Sequence, residues 1–423
     1  MNTGMTAEIL STGDEVLLGD ITDTNSSFLC RRLREAGITV TGITAVGDDV
    51  QAIGNAVGTI SKRADICLVT GGLGPTRDDL TAPACAEAAG VSLERNPHAL
   101  SSMEAYFEKR GFEITPANEK QAMMPKGARV LENQNGTAPG FEMALRKCRF
   151  FFMPGVPSEM REMYTGQVKP RLFEICGKTG EIKVERLMVF GLLESVVGAK
   201  LDGFENSFKG LSLGFRARFP LIEVKLTARR EGHASDGVLP DMDAARAWVG
   251  KKLGRKVISH QGLTLAQETG RLLTAAGQTL SIAESCTGGL IANLVTDVAG
   301  ASAYFLFSAT TYANAAKMDI LGVPLKTLEE HGAVHEETAM AMAAGACRAG
   351  HSDWAISTTG IAGPSGGTDE KPVGTVCIGV AGPDGVSARR FVLDTGDRER
   401  NKQFFAATAL EMLRRKLVDK PKA

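Results

Sequence analysis

The residues best suited to chemistry form the run Glu284, Ser285, Cys286, Thr287, Gly288 and Gly289, which follows a strand-like segment at 279–283 and precedes a helical pattern at 290–297. A hydroxyl at a strand-to-helix turn can act as a nucleophile beside free backbone amides. Gly288 and Gly289 let a substrate approach the main chain, and the N-terminus of the next helix favours negative charge. The same Ser-x-x-Gly-Gly pattern also suits a helix cap followed by a flexible turn, so this segment alone leaves both readings open. Cys286 is a second nucleophile on the turn, without a histidine motif to accompany it.

A second glycine-rich cluster spans 358–368 and exits into a strand-like segment at 375–380. Gly360, Gly363, Gly366 and Gly367 give a main-chain concavity suited to phosphate or another anion. Between the clusters, Tyr312 and Lys317 stand among small residues. A lysine enclosed by apolar groups loses hydration, which favours its neutral form and lets it serve as a base for a serine. The alternative is an exposed lysine on an alanine-rich helix. Spacing alone does not bring Lys317 to Ser285.

Further toward the N-terminus the pattern is strand 7–12, helix 25–36 capped by Asp23, strand 38–46, helix 50–61 and strand 66–70. This β-α-β-α-β rhythm predicts a parallel sheet with a ligand site at the carboxyl ends of its strands. The next loop carries Gly71, Gly72, Gly74, Arg77, Asp78 and Asp79. Carboxylates beside a phosphate cradle point to a divalent cation, the alternative being that they cap the next helix. Asn135 with Gly136, and Pro154 with Gly155, lie on loops able to complete one cleft, and Asp48 adds a carboxylate at another strand end.

The 423 residues exceed what one core supports, and they divide into 1–169, 170–257 and 258–423. The fold class is α/β: two outer α/β sandwich domains with mostly parallel sheets, joined by a small α+β middle domain. In that middle part the polar stretch 229–241 is expected as a surface loop, and nothing in the part carries chemistry. A net charge of -1 leaves no basic surplus for nucleic acid. No apolar segment reaches the roughly 18 residues that cross a bilayer, and no charged-then-apolar signal opens the chain, so a cytoplasmic protein without a membrane partner is expected. The eight cysteines lack paired metal spacing and read as reduced thiols. His331 and His335 stand four apart, but Gly332 and the loop-like residues between them argue against a metal pair on one helix.

The motifs resemble two known modules. Residues 283–289, Tyr312 with Asn314 and Lys317, the runs 359–364 and 371–376, and Gly396-Asp-Arg398 resemble the CinA C-terminal domain, the nicotinamide mononucleotide amidohydrolase family. That resemblance implies hydrolysis of nicotinamide mononucleotide to nicotinic acid mononucleotide and ammonia, in pyridine-nucleotide salvage and without a cofactor. It makes Ser285 the nucleophile and has Lys317 and Tyr312 handle its proton. Thr287, Gly288, Gly289, Asn314, Gly360, Gly363, Gly366, Gly367 and Arg398 would surround the nucleotide.

The start Gly13-Asp-Glu15, Asp23-Thr-Asn25, the run 71–76 with Asp79, Asn118-Glu119, and the loops 136–140 and 154–159 resemble the molybdopterin-binding fold of full-length CinA proteins. There the resemblance implies hydrolysis of ADP-ribose or a related dinucleotide pyrophosphate, with Mg, Mn or Co on Asp48 and Asp79. Gly71, Gly72, Gly74, Asn135, Gly136, Pro154 and Gly155 would hold the substrate. The pattern is shared with molybdopterin adenylyltransferases, so pterin or nucleotide binding or transfer stands as the rival reading, beside a competence or damage-response regulator without turnover. The expected partners are nucleotide substrates and a second copy of the chain in a homodimer.

Overall fold

The computed structural model describes residues 5–177, 182–229 and 241–419. The polar stretch expected as a loop at 229–241 lies, apart from its two ends, outside the described residues. Two compact units are present: one runs to Lys183, and the other comprises Val184–Ala228 and the residues after 240.

In the first unit β1 (Thr6–Thr12) is buried along nearly its whole length. It can be so because β2 (Thr39–Val46) and β3 (Ile66–Thr70) flank it in parallel and helices cover both faces. Helix α1 (Thr24–Glu35) starts where the Asp23 carboxylate accepts the Ser26 amide at 2.8 Å, and α2 (Val50–Arg63) where Asp49 accepts the Ala52 amide at 2.7 Å. Adding β4 (Arg129–Leu131), β5 (Gly140–Leu145) and β6 (Cys148–Met153) gives the order β2-β1-β3-β6-β5-β4. The first four strands are parallel and the last two antiparallel. Leu10, Val69, Phe150 and Phe152 pack on one face with Ile53 and Val57 of α2, while Ile9, Leu68 and Phe151 meet Leu29 of α1 on the other. The order reverses between β1 and β3, so their carboxyl ends flank a switch-point crevice. Gly71 sits there at φ 104, and a Cβ on it would collide with the Thr12 carbonyl.

The second unit holds two sheets. Strands β7 (Ile182–Phe190), β8 (Leu211–Arg218), β9 (Leu221–Arg229) and β10 (Val257–Ser259) form one in the order β8-β9-β7-β10, with α3 (Met242–Leu253) preceding β10 in sequence. After α4 (Leu265–Ala276) come β11 (Leu280–Glu284), α5 (Leu290–Thr296), β12 (Phe305–Thr310), α6 (Asn314–Leu321), α7 (Glu336–Gly350), β13 (Trp354–Gly360), β14 (Thr375–Gly382), β15 (Gly385–Val392) and α8 (Arg398–Val418). Their sheet runs β12-β11-β13-β14-β15, parallel across the first three strands and antiparallel beyond.

Met188, Phe190 and Ile258 belong to the same apolar cluster as Leu265, Leu280, Phe405 and Leu410. Residues 184–228, part of the stretch 170–257 that read in sequence as a middle domain, share a unit and a core with the β11-containing sheet and its helices. Among the described residues, no helix is long and apolar enough to cross a membrane.

Candidate active site at the end of strand β11

Ser285 is the first residue past β11, at the switch point where β12 lies on one side of that strand and β13 on the other. Its amide donates to the Thr358 carbonyl of β13 at 3.0 Å, which fixes Ser285 to the sheet. The turn continues through Gly288 at φ 63 and Gly289 at φ 91, left-handed conformations that glycine adopts without strain.

Lys317, one turn into α6, is only 1% exposed, and its Nζ lies 3.2 Å from Ser285 Oγ, itself in a residue 8% exposed. The same nitrogen donates to the carbonyls of Thr311 at 2.9 Å and Tyr312 at 3.1 Å. Burial pushes the lysine below its ordinary value, with the neighbouring Cys286 opposing. A neutral amine keeps two N–H bonds and one lone pair. With the carbonyls taking the N–H groups, the lone pair is left for the serine hydroxyl. Burial also pushes the Cys286 thiol up to about 12, which leaves the sulfur protonated and a poor nucleophile at neutral pH.

The N-terminus of α5 does not offer its amides to a ligand, contrary to the sequence expectation. The buried carboxylate of Glu284 accepts from Gly289 at 3.0 Å, Ile291 at 3.1 Å and Ala292 at 2.9 Å. The Gly288 amide is spent on the Ser285 carbonyl at 3.1 Å. Between them, the Cys286 amide turns to its own thiol, and the Thr287 amide has no acceptor among the described residues. The Thr287 hydroxyl is 2.7 Å from that of Thr358, so this side chain ties the turn to β13 and brings only its amide to the site.

Tyr312 stands apart from the serine by its side chain, which is 63% exposed and whose hydroxyl accepts from Arg398 Nη2 at 3.3 Å. Arg398 also donates to the Gly363 carbonyl, joining the first turn of α8 to the second glycine loop. Gly360 and Gly363 lie at the end of β13 and just beyond it, Gly366 and Gly367 farther out on the exposed part of that loop, and Asn314 exposed at the start of α6. Lys402, which the sequence reading did not single out, places Nζ 3.6 Å from where a Cβ on Gly288 would stand. Half-buried, it has no hydrogen bond or ion pair among the described residues. Only its i, i+4 spacing from Arg398 on a helix could have flagged it. His331 ends one helix and His335 caps α7, their rings stacked at 4.5 Å, so the pair does not lie on one helix.

In the first unit Gly72, Gly74, Asp79, Lys120 and Gln121 line a cleft beside Phe141. The buried Gln121 Oε1 there has no partner, and neither has Asn25 Oδ1, whose amide nitrogen donates to the Gly155 carbonyl at 2.7 Å. Gly155 itself approaches Gly71, next to the buried Pro154. Asn135 bonds Asn133 and Glu162, and Gly136 lies against Glu159.

Each carboxylate expected to hold a metal accepts from a neighbouring backbone amide. Asp48 and Asp14 exchange backbone-to-carboxylate bonds at 3.1 and 3.2 Å, whereas Asp79 accepts from the Thr76 amide at 2.8 Å. Burial pushes the Asp48 carboxyl up, the Asp14 amide opposes, and the charges that add to the rise are those of Asp14, Glu15 and Asp78. Among the described residues, no group of three or more His, Cys, Asp or Glu is placed to hold a metal ion.

Fold and site together define a two-unit α/β protein whose second unit sets a serine and a buried lysine at a sheet switch point. Residues 263–417 match the CinA C-terminal domain model, and residues 8–174 that of the probable molybdopterin binding domain. A CinA-like protein of Desulfosudis oleivorans is 50% identical over 415 residues, 98% of this chain and 100% of that one. Another, from Desulforapulum autotrophicum, is 47% identical over 419 residues, covering 98% and 99% of the two chains. The solved structure of the competence/damage inducible protein CihA from Agrobacterium tumefaciens is 42% identical and covers 37% of this chain and 94% of that one, at a TM-score of 0.36. The chain belongs to the CinA family.

Proposed function

We propose that the second unit hydrolyses the carboxamide of nicotinamide mononucleotide to nicotinic acid mononucleotide and ammonia. The observation that carries this reading is the contact between Lys317 Nζ and Ser285 Oγ at 3.2 Å in a buried setting. Neutral Lys317 removes the hydroxyl proton as Ser285 Oγ bonds to the amide carbon. Negative charge then develops on the carbonyl oxygen, where the unspent amide of Thr287 supplies a donor. The proton passes from Lys317 to the departing nitrogen, which leaves as ammonia and an acyl-serine. A water, deprotonated by the same lysine, cleaves that ester and restores the hydroxyl. Lys402 and Arg398 provide cations for the phosphate of the nucleotide, and Tyr312 holds Arg398 through its hydroxyl. Ammonia release from the purified full chain, with the acid nucleotide identified by mass, tests the reading; no ammonia from a folded protein would overturn it.

For the first unit a second observation supports a nucleotide-binding reading: buried acceptors on Gln121 and Asn25 without partners, which an N–H donor on a ligand would satisfy. The pyrophosphate cleavage implied by the family resemblance would draw on a divalent cation, with Asp48 and Asp79 the carboxylates to hold it. Binding of ADP-ribose, with its turnover followed with and without Mg, Mn or Co, separates binding from catalysis. A cytoplasmic homodimer completes the proposal, and light scattering checks the assembly.

A further inference from the structure

A cleft of about 390 Å³ opens in the second unit where β10 meets α4 and the last turns of α8, and the chemistry around Ser285 makes no use of it. Arg255, Arg271, Arg414 and Arg415 line it, against the carboxylates of Glu268 and Asp419. Glu411 stands behind these groups, in the buried part of α8, and accepts from both Arg414 Nε at 2.6 Å and Arg415 Nε at 2.6 Å.

This arrangement orients guanidinium groups without exhausting them. Arg414 spends Nε and Nη2 on Glu411, and Arg271 spends Nε and Nη2 on Glu268. Nη1 of each, and both terminal nitrogens of Arg415, have no acceptor among the described residues. Arg414 is 7% exposed, so its unspent donor is held in a largely desolvated wall, where a charge-assisted bond gains strength. The volume falls within the roughly 300–1,000 Å³ of small-molecule sites. Planar guanidinium forks with free N–H pairs match the oxygens of phosphate groups.

We propose that this cleft, formed by β10, α4 and the end of α8, is a second binding site of the protein, for small molecules that carry a phosphate or diphosphate group. The proposal does not depend on the reaction at Ser285. Both the free anion and the phosphate of a nucleotide offer the same oxygens, so the test uses both.

Calorimetric titration of the full chain with inorganic pyrophosphate, and separately with AMP, is expected to show saturable binding that weakens as salt rises. Arg271→Gln with Arg415→Gln removes two forks from the cleft wall while leaving the buried pair of Arg414 with Glu411 intact. The double variant is expected to bind at least about tenfold more weakly, the scale of one lost charge-assisted bond. Arg271→Lys, which keeps the charge but not the fork, serves as the milder variant and is expected to weaken binding severalfold. Tighter binding of AMP assigns the site to a nucleotide, and tighter binding of pyrophosphate assigns it to the free anion. Absence of saturable binding, or affinities unchanged in variants whose melting curves match the parent, would overturn the proposal.

Discussion

Lys317 Nζ lies 3.2 Å from Ser285 Oγ although 32 residues separate the two in the chain. The lysine is aimed by the Thr311 and Tyr312 carbonyls, not by a carboxylate, so nothing anionic holds it protonated. Lys317→Met is expected to lower kcat for ammonia release about a hundredfold or more, with KM moving far less. The neutral amine is the active form and its fraction grows with pH. Activity should therefore rise with pH through an inflection below the ordinary lysine value of 10.5, because burial lowers the value. A variant that keeps the parent rate and profile would show the contact to be structural.

Ser285→Ala removes one oxygen and leaves the turn's backbone bonds to Thr358 in place. Deamidation should vanish while the melting temperature stays within a few degrees, about 1 kcal/mol for a loss of this size. Cys286→Ala should keep most activity, since burial holds that thiol protonated. Loss of activity in Cys286→Ala alone would transfer the nucleophile to the sulfur.

Among the described residues Lys402 has no hydrogen-bond or ion-pair partner beside the Ser285 turn, so a phosphate on the substrate is the anion it can meet. Lys402→Met should raise KM for nicotinamide mononucleotide by about tenfold, the scale of one charge-assisted bond, and hardly change kcat. Turnover of the unphosphorylated riboside should be the same in both proteins. Equal losses on both substrates would mean that the lysine supports the turn itself.

How far the sequence discloses the site depends on which interactions are local. Ser285 is legible because a strand, two glycines and a helix succeed one another within a few residues. Lys317 is legible as a candidate, because small residues surround it, but its partner depends on the parallel pairing of β11 with β12. Glu284 reads as the end of a strand, and only the folded turn shows its carboxylate filling the anion site that the helix terminus promised. Lys402, Arg414 and Arg415 lie on a helix whose pattern gives its buried face but not what the other faces meet. The alternation and caps of the first unit disclose the parallel strands β1 to β3, whereas the antiparallel β4 and β5 depend on pairings that no local motif encodes.

Glu284 accepts three amides at the start of α5 from a fully buried position. In Glu284→Gln, an NH₂ group replaces one accepting oxygen and opposes at least one of those amides. Denaturant unfolding should report a loss of about 1–3 kcal/mol, the cost of a buried donor left without its partner. Unchanged stability would mean that water reaches these amides.

The last prediction concerns where the second unit can be cut. Met188, Phe190 and Ile258 bury their side chains in the cluster that also holds Leu265, Leu280 and Phe405. A fragment starting at Gly262 loses all three and uncovers the surface they protected, whereas one starting at Val184 retains them. At about 1.5–3 kcal/mol for each large apolar side chain, the shorter fragment forfeits roughly 5 kcal/mol or more, a large share of a domain's stability. The longer fragment should unfold cooperatively near the parent temperature and release ammonia, in the presence of chelator as in its absence. The shorter one should melt well below it or aggregate. Equal stability of the two fragments would show that the strands before residue 262 merely rest on a core complete without them.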